Sequence, residues 1–335
     1  MLRILMLAGV VLGVSSSPQP ANKPNLCHVI SHHFDYDPNG HDGPAHWPEL
    51  ASCCGSTVRQ SPRDLPLDSL PSQECDKPFN IQFHNSTDQT GLFYDNGHAP
   101  NMAINSASPT YVTGVPYAPE AKYILAGIHF HFSDGSKGGS EHALNGERYD
   151  GEMHMVHYKE EYGGVAESVL HEDGLMVIGV FLQGPKSIFA KLDHLSLSYK
   201  MPSSRQIWDR LKSLNRHQFG SPDESPVGPL NDLLKEVSNI HEVGKEFGVD
   251  VQVDVESLLP KSSDFLTYAG SLTTPPCSES VRWIVMADPV PVTQDALEAL
   301  RALPAGGHGH GLIAHFSNAR DLQNNQQPVE TNFKC

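Results

Sequence analysis

Basic residues are scarce in this chain: 23 Lys+Arg stand against 39 Asp+Glu over 335 residues, a formal net charge of −16. Such a deficit argues against a polyanion, whether nucleic acid or an anionic lipid surface, as the main partner. It says nothing about chemistry. Apolar runs of membrane-spanning length are also lacking. The stretch from Ile4 to Val14 is too short to cross a bilayer, and no later segment approaches the length. The polar end, Gln323 to Cys335, predicts neither a membrane anchor nor a GPI signal. No Cys-x-x-Cys pair occurs among the six cysteines, which disfavours a cysteine zinc site. There is no internal repeat, no long low-complexity tract, and little helical periodicity. What remains is a globular composition in a chain long enough to bury a substantial core.

Met1-Leu2-Arg3, the apolar run and Ser15-Ser16-Ser17-Pro18 follow the order of a secretory signal peptide, which we assign to residues 1–17. A leader over 18–33 and a domain over 34–335 follow. Export makes Cys27, Cys53, Cys54, Cys75, Cys277 and Cys335 candidates for disulfides, and their spacing selects no pairing. Asn85-Ser86-Thr87 is a glycosylation sequon consistent with export.

β-rich runs bounded by turn residues predict strands at Phe79–His84, Tyr111–Val115, Tyr123–Ser133, Glu152–Tyr158, Leu175–Leu182 and Val281–Ala287. Helical spacing is confined to Ser204–Arg216, Pro229–Phe247 and Thr293–Leu303. Together these support a sheet-rich domain. The stretch 183–229 differs in texture and reads as an insertion.

Of the 19 His, most read as ordinary surface or core residues. In the strand Ile128-His129-Phe130-His131-Phe132, positions i and i+2 share a face, so His129 and His131 project together. On the strand Glu152-Met153-His154-Met155-Val156-His157, parity groups Glu152, His154 and Val156 and turns His157 away. If the strands pair, His154 completes three imidazole ligands with an open fourth position, the arrangement of catalytic zinc. Glu152 is placed to accept the other ring N–H of a ligand. A polar cross-strand stripe is the plain alternative, and copper or iron would suit the same donors. His308-Gly309-His310 and His32-His33 are weaker metal candidates because they sit in loops.

With Gly139-Ser140-Glu141-His142 and Ser271-Leu272-Thr273-Thr274-Pro275-Pro276, this chain resembles the α-class carbonic anhydrases from about Phe34 to Lys334. Gly43-Pro44-Ala45-His46-Trp47, Arg59-Gln60-Ser61-Pro62, Asn96-Gly97-His98-Ala99 and Val281-Arg282-Trp283-Ile284-Val285 occur in the family's order. The resemblance implies an α+β domain around a large, mostly antiparallel sheet, with zinc at the base of a conical cleft. It implies that His129, His131 and His154 ligate Zn2+. Thr273 then accepts a hydrogen bond from the attacking hydroxide and passes one to Glu141, which orients the nucleophile. His98 matches the proton shuttle, and Tyr36, Asn96 and Asn101 match the wall that orders the connecting waters. Val156, Val177, Leu272, Thr274, Val281 and Trp283 match the substrate pocket. Carbon dioxide and bicarbonate are the implied substrates, with anions and sulfonamides as inhibitors at the metal.

Departures accompany the matches. The family often has Gln two residues before the first ligand; here that position is Gly127. A backbone carbonyl that supports the second ligand maps to Asn318, and the aromatic that follows in the family is Ala319 here. By resemblance, Cys277 pairs with Cys54, or with Cys53 instead. Nacreins, the carbonic anhydrases of shell matrix, carry an extra segment at a place comparable to 183–229, though theirs is an acidic Gly-Asn repeat. The implied activity is reversible hydration of carbon dioxide by a secreted zinc lyase. The alternative is a biomineral matrix protein that binds calcium carbonate, with catalysis secondary. The acidic charge and the insertion favour that alternative; the lack of an EF-hand loop or a dense Asp run counts against it.

Overall fold

The computed structural model describes residues 27–31, 33–69, 81–185, 228–306 and 311–332. The expected helix at Ser204–Arg216, Cys75, Cys335, the His308–His310 pair and the assigned signal peptide lie outside these residues. Fourteen strands occur among the described residues. The first seven are β1 (Asp64–Leu65), β2 (Gln82–His84), β3 (Gln89–Asp95), β4 (Pro100–Ile104), β5 (Tyr111–Thr113), β6 (Tyr123–Phe132) and β7 (Ala143–Leu144). The rest are β8 (Gly151–Lys159), β9 (Leu175–Gln183), β10 (Val249–Val253), β11 (Phe265–Gly270), β12 (Val281–Met286), β13 (Val290–Pro291) and β14 (Glu330–Thr331).

Twelve of these form one sheet, ordered β10-β3-β4-β6-β8-β9-β12-β11-β14, with β2, β5 and β13 attached at its margins. The pairings are antiparallel except where β12 and β13 run parallel to β9. This is the large, mostly antiparallel central sheet implied by resemblance. β6 and β8 form its middle, in a register that sets His129 opposite His154 and His131 opposite Glu152.

Alternation along β6 explains why the sheet holds still. Ile128, Phe130 and Phe132 are fully buried in the larger apolar cluster with Met153, Met155 and Ile178. Each such side chain contributes about 1.5–3 kcal/mol by leaving water. A one-residue slip would send these rings to the other face and the histidines into the core, so the register is strongly specified. Val177, Phe181, Val281 and Trp283 build a second cluster.

The helix Gln294–Arg301 is capped by Thr293, whose Oγ1 accepts from the Ala296 N–H at 3.1 Å. It buries Ala296, Leu297 and Leu300 in the larger cluster. The span Pro229–Phe247 is not one helix. The α-helix stops at Lys235 and tightens to a 3-10 turn over Glu236–Asn239. Gly244 then takes φ +132°, a conformation open to glycine that helix continuation forbids.

Candidate metal centre

The pairing of β6 with β8 brings His129, His131 and His154 together, with one ring nitrogen of each within 4.8 Å of the others. His131 and His154 are each 1% exposed, so the pair is not a solvated polar stripe. Burial, and then the neighbouring imidazoles, push the His129 ring well below its ordinary pKa. Burial and His154 likewise lower His131, to about 3, although the Asn318 carbonyl opposes this. Both rings are therefore neutral at pH 7, the form that ligates a metal.

Two rings are oriented by their outer nitrogens. His131 donates from Nδ1 to the Asn318 carbonyl oxygen at 2.6 Å, which leaves Nε2 buried and without a hydrogen bond. His154 donates from Nε2 to Glu152 Oε1 at 2.8 Å, which turns its Nδ1 toward the shared point. An orphaned buried nitrogen beside two further imidazoles fits a zinc ion, and these three residues would hold it. His129 has no ring hydrogen bond among the described residues. A Cβ on Gly127 would lie 2.9 Å from the Met102 carbonyl oxygen, so the close approach of β4 leaves no room there for a larger side chain.

Glu152 does more than orient the His154 ring. Its Oε1 also accepts from His142 Nδ1 at 2.7 Å, and its Oε2 accepts from the N–H groups of Glu141 and His142 at 2.9 and 2.8 Å. Burial alone would raise this carboxyl, but the His142 and His154 imidazoles and their hydrogen bonds hold it well below the usual range. The relay continues from His142 Nε2 to Tyr268 Oη at 2.7 Å and on to Ser61 Oγ at 2.9 Å. Sequence reasoning assigned no role to His142, Tyr268 or Ser61. The adjacency of His142 to Glu141 was the one available signal.

Glu141 is fully buried and accepts the Arg320 N–H at 2.9 Å through Oε1. Its Oε2 lies 3.5 Å from His131 Nε2. Burial raises its carboxyl, while His154 and the Thr273 hydroxyl pull it partly back. Thr273 is 6% exposed, on the loop that Cys277 anchors. Cys277 is bonded to Cys54, and its N–H returns to the Thr274 carbonyl oxygen at 2.8 Å. A second bridge joins Cys27 to Cys53.

Tyr36 packs edge-on to Phe34 and Trp47, and burial together with the nearby Glu141 raises its phenol well above the usual range. Asn96 Oδ1 accepts the N–H groups of His98 and Ala99 at 2.9 and 2.8 Å, so its side chain builds the turn that carries His98. Asn101 lies opposite His129 in the β4–β6 register. Val177, Val281 and Trp283 are buried in one cluster, with Val156 and Leu272 against it. The Trp283 ring meets His142 and His154 edge-on, at centroid distances of 4.6 and 4.8 Å. Asn85 is exposed, at φ +54°.

The profile of the eukaryotic-type carbonic anhydrases matches residues 42–215 and 217–333. The chain is 27% identical over 292 residues to carbonic anhydrase 1 of Mus musculus, covering 86% of this chain and 94% of that protein. It is 30% identical over 300 residues to the mitochondrial carbonic anhydrase 5A of Homo sapiens, covering 84% of each. A match over most of the length joins a sheet-borne histidine triad to the family's profile, and the chain belongs to the eukaryotic-type carbonic anhydrases.

Proposed function

We propose that this protein is a secreted zinc carbonic anhydrase, in which His129, His131 and His154 hold the metal and His98 exports the proton. One observation carries the reading: three converging imidazoles, two of them fixed by Asn318 and Glu152. Zinc bound there supplies a hydroxide nucleophile at neutral pH, the family's established chemistry.

The chain's own residues do the rest. Thr273 and Glu141 orient the attacking group, since a threonine hydroxyl that donates its hydrogen bond to a buried carboxylate is left only to accept from the attacking group. The apolar wall of Val156, Val177, Leu272, Val281 and Trp283 receives uncharged carbon dioxide and keeps water from crowding it. Tyr36, Asn96 and Asn101 line the route toward His98. The imidazole of His98, whose pKa burial lowers, releases a proton readily to buffer at neutral pH. Anions and sulfonamides would bind where the substrate oxygen does.

Export is supported by the signal-like residues 1–17 and by two disulfides, which suit an oxidising compartment. No helix among the described residues is long and apolar enough to cross a membrane. Glycosylation at the exposed Asn85 fits the same route. Stopped-flow hydration of carbon dioxide by the zinc-loaded protein tests the function. We expect kcat/KM within the ordinary enzymatic range of about 10⁴–10⁸ M⁻¹s⁻¹. A rate no greater than buffer alone would refute it.

A further inference from the structure

We propose that the Cys27–Cys53 disulfide is a positioning element for His98: it ties down the N-terminal strap that holds the Phe34 ring flat against the His98 imidazole. This rests on the reading of His98 as the proton carrier.

The strap is short and poorly buried. Residues 27–31 alternate between half-buried and exposed, and Ile30 is 72% exposed. Backbone bonds run along it, Val29 packs against the Trp47, Ala51 and Cys54 cluster, and beyond it the Asp35 N–H donates to the Asp42 carbonyl at 2.9 Å. His28 N–H donates to Ser52 Oγ at 2.9 Å, Ser52 N–H to the His28 carbonyl at 3.0 Å, and Ile30 N–H to the Leu50 carbonyl at 2.8 Å. A segment with few buried apolar contacts opens locally at little cost. The covalent bond to Cys53 adds to these contacts a tie that does not open, because Cys53 sits in the same turn as Ser52 and next to the separately bridged Cys54.

Phe34 leads on from this strap and turns inward. Its ring meets Trp47 edge-on at 5.5 Å and stacks on His98 with centroids 4.2 Å apart and planes 18° from parallel. On the His98 side only the backbone is fastened, by Asn96 Oδ1 to its N–H and by Asn318 Nδ2 to its carbonyl at 3.0 Å. No ring nitrogen of His98 has a hydrogen-bond partner among the described residues. The stack with Phe34 therefore sets the direction of the imidazole. Burial lowers the His98 pKa, with His33 adding to the effect and Asp35 opposing it, as expected for a covered ring.

The test compares the zinc-loaded full chain with its C27S/C53S double variant and with Phe34→Ala and Phe34→Trp. Isotope exchange between carbon dioxide and bicarbonate at equilibrium does not depend on proton export; steady-state hydration in dilute buffer does. We expect exchange in C27S/C53S and Phe34→Ala within about twofold of the parent. Their turnover in dilute buffer should fall about three- to tenfold, a part of the roughly 10²-fold that a positioned proton carrier contributes. Added imidazole should restore it, and Phe34→Trp should keep parent behaviour. Unchanged buffer dependence in C27S/C53S, or in Phe34→Ala should the double variant not fold, would overturn the proposal. So would exchange and turnover falling together without rescue. A parent that shows neither hydration nor exchange would instead bring down the functional reading itself.

Discussion

His131 Nδ1 donates to the Asn318 carbonyl oxygen at 2.6 Å, although 187 residues separate them. The Asn318 side chain then gathers three more backbone groups. Its Nδ2 donates to the carbonyls of His98 and Phe130 at 3.0 and 2.9 Å, and its Oδ1 accepts the Phe132 N–H at 2.7 Å. One residue thus fastens His131, the strand that carries it and the turn that carries His98. Asn318→Ala keeps the backbone acceptor but strands buried polar groups at about 1–3 kcal/mol each. We expect a clearly lower melting temperature, with zinc affinity within about tenfold of the parent in a chelator competition.

Glu152 offers its two oxygens to four donors, two ring N–H and two backbone N–H groups. In Glu152→Gln an amide NH2 must face one of those pairs, donor against donor. Zinc affinity should fall about 10–100-fold, the range for losing a carboxylate behind a histidine ligand. Unchanged affinity in competition with a chromogenic chelator would contradict this role.

In the proposed function Thr273 and Glu141 act on orientation rather than on metal retention. Thr273→Ala should keep one zinc per chain while kcat/KM for carbon dioxide falls about 10²-fold, the scale of a misplaced reacting group. Zinc analysis and stopped-flow rates on the same sample check both halves.

Asp95 ends β3 beside the His98 turn, with Oδ1 accepting the Gly97 N–H at 2.7 Å and Oδ2 buried without a partner. Burial raises its carboxyl to about 6, although the Gly97 N–H opposes this. Between about pH 4 and 6 the folded protein keeps a proton that the unfolded chain has released. This group's contribution to stability therefore falls as pH rises through that window and is level above it. Asp95→Asn removes the titration. Whatever its constant cost, the stability difference should move toward the variant by about 1–2 kcal/mol from pH 4 to pH 7 in urea unfolding.

Strand parity made His129 and His131 legible as a pair, because period two needs only local sequence. His154 needed a pairing partner, which residue type and resemblance supplied. Asn318 as a hub was not legible: its side chain contacts backbone groups brought close only by the fold. The same holds for His142, Tyr268 and Ser61. Strands β3 and β4 were missed because Gly91 and Pro100 dilute their local signal, and sheet pairing overrides it; β10 and β11 were missed although Val249–Val253 alternates and Phe265–Gly270 is rich in β-formers. The break after Lys235 lay hidden in a helix-like pattern that Gly244 ends.

Metal dependence tests the central claim most directly. Zinc removed by a chelator, then returned one equivalent at a time, should abolish carbon dioxide hydration and restore it in full at one zinc per chain, with His131→Ala recovering neither metal nor rate. Full hydration by the metal-free protein, or by His131→Ala, would contradict the account.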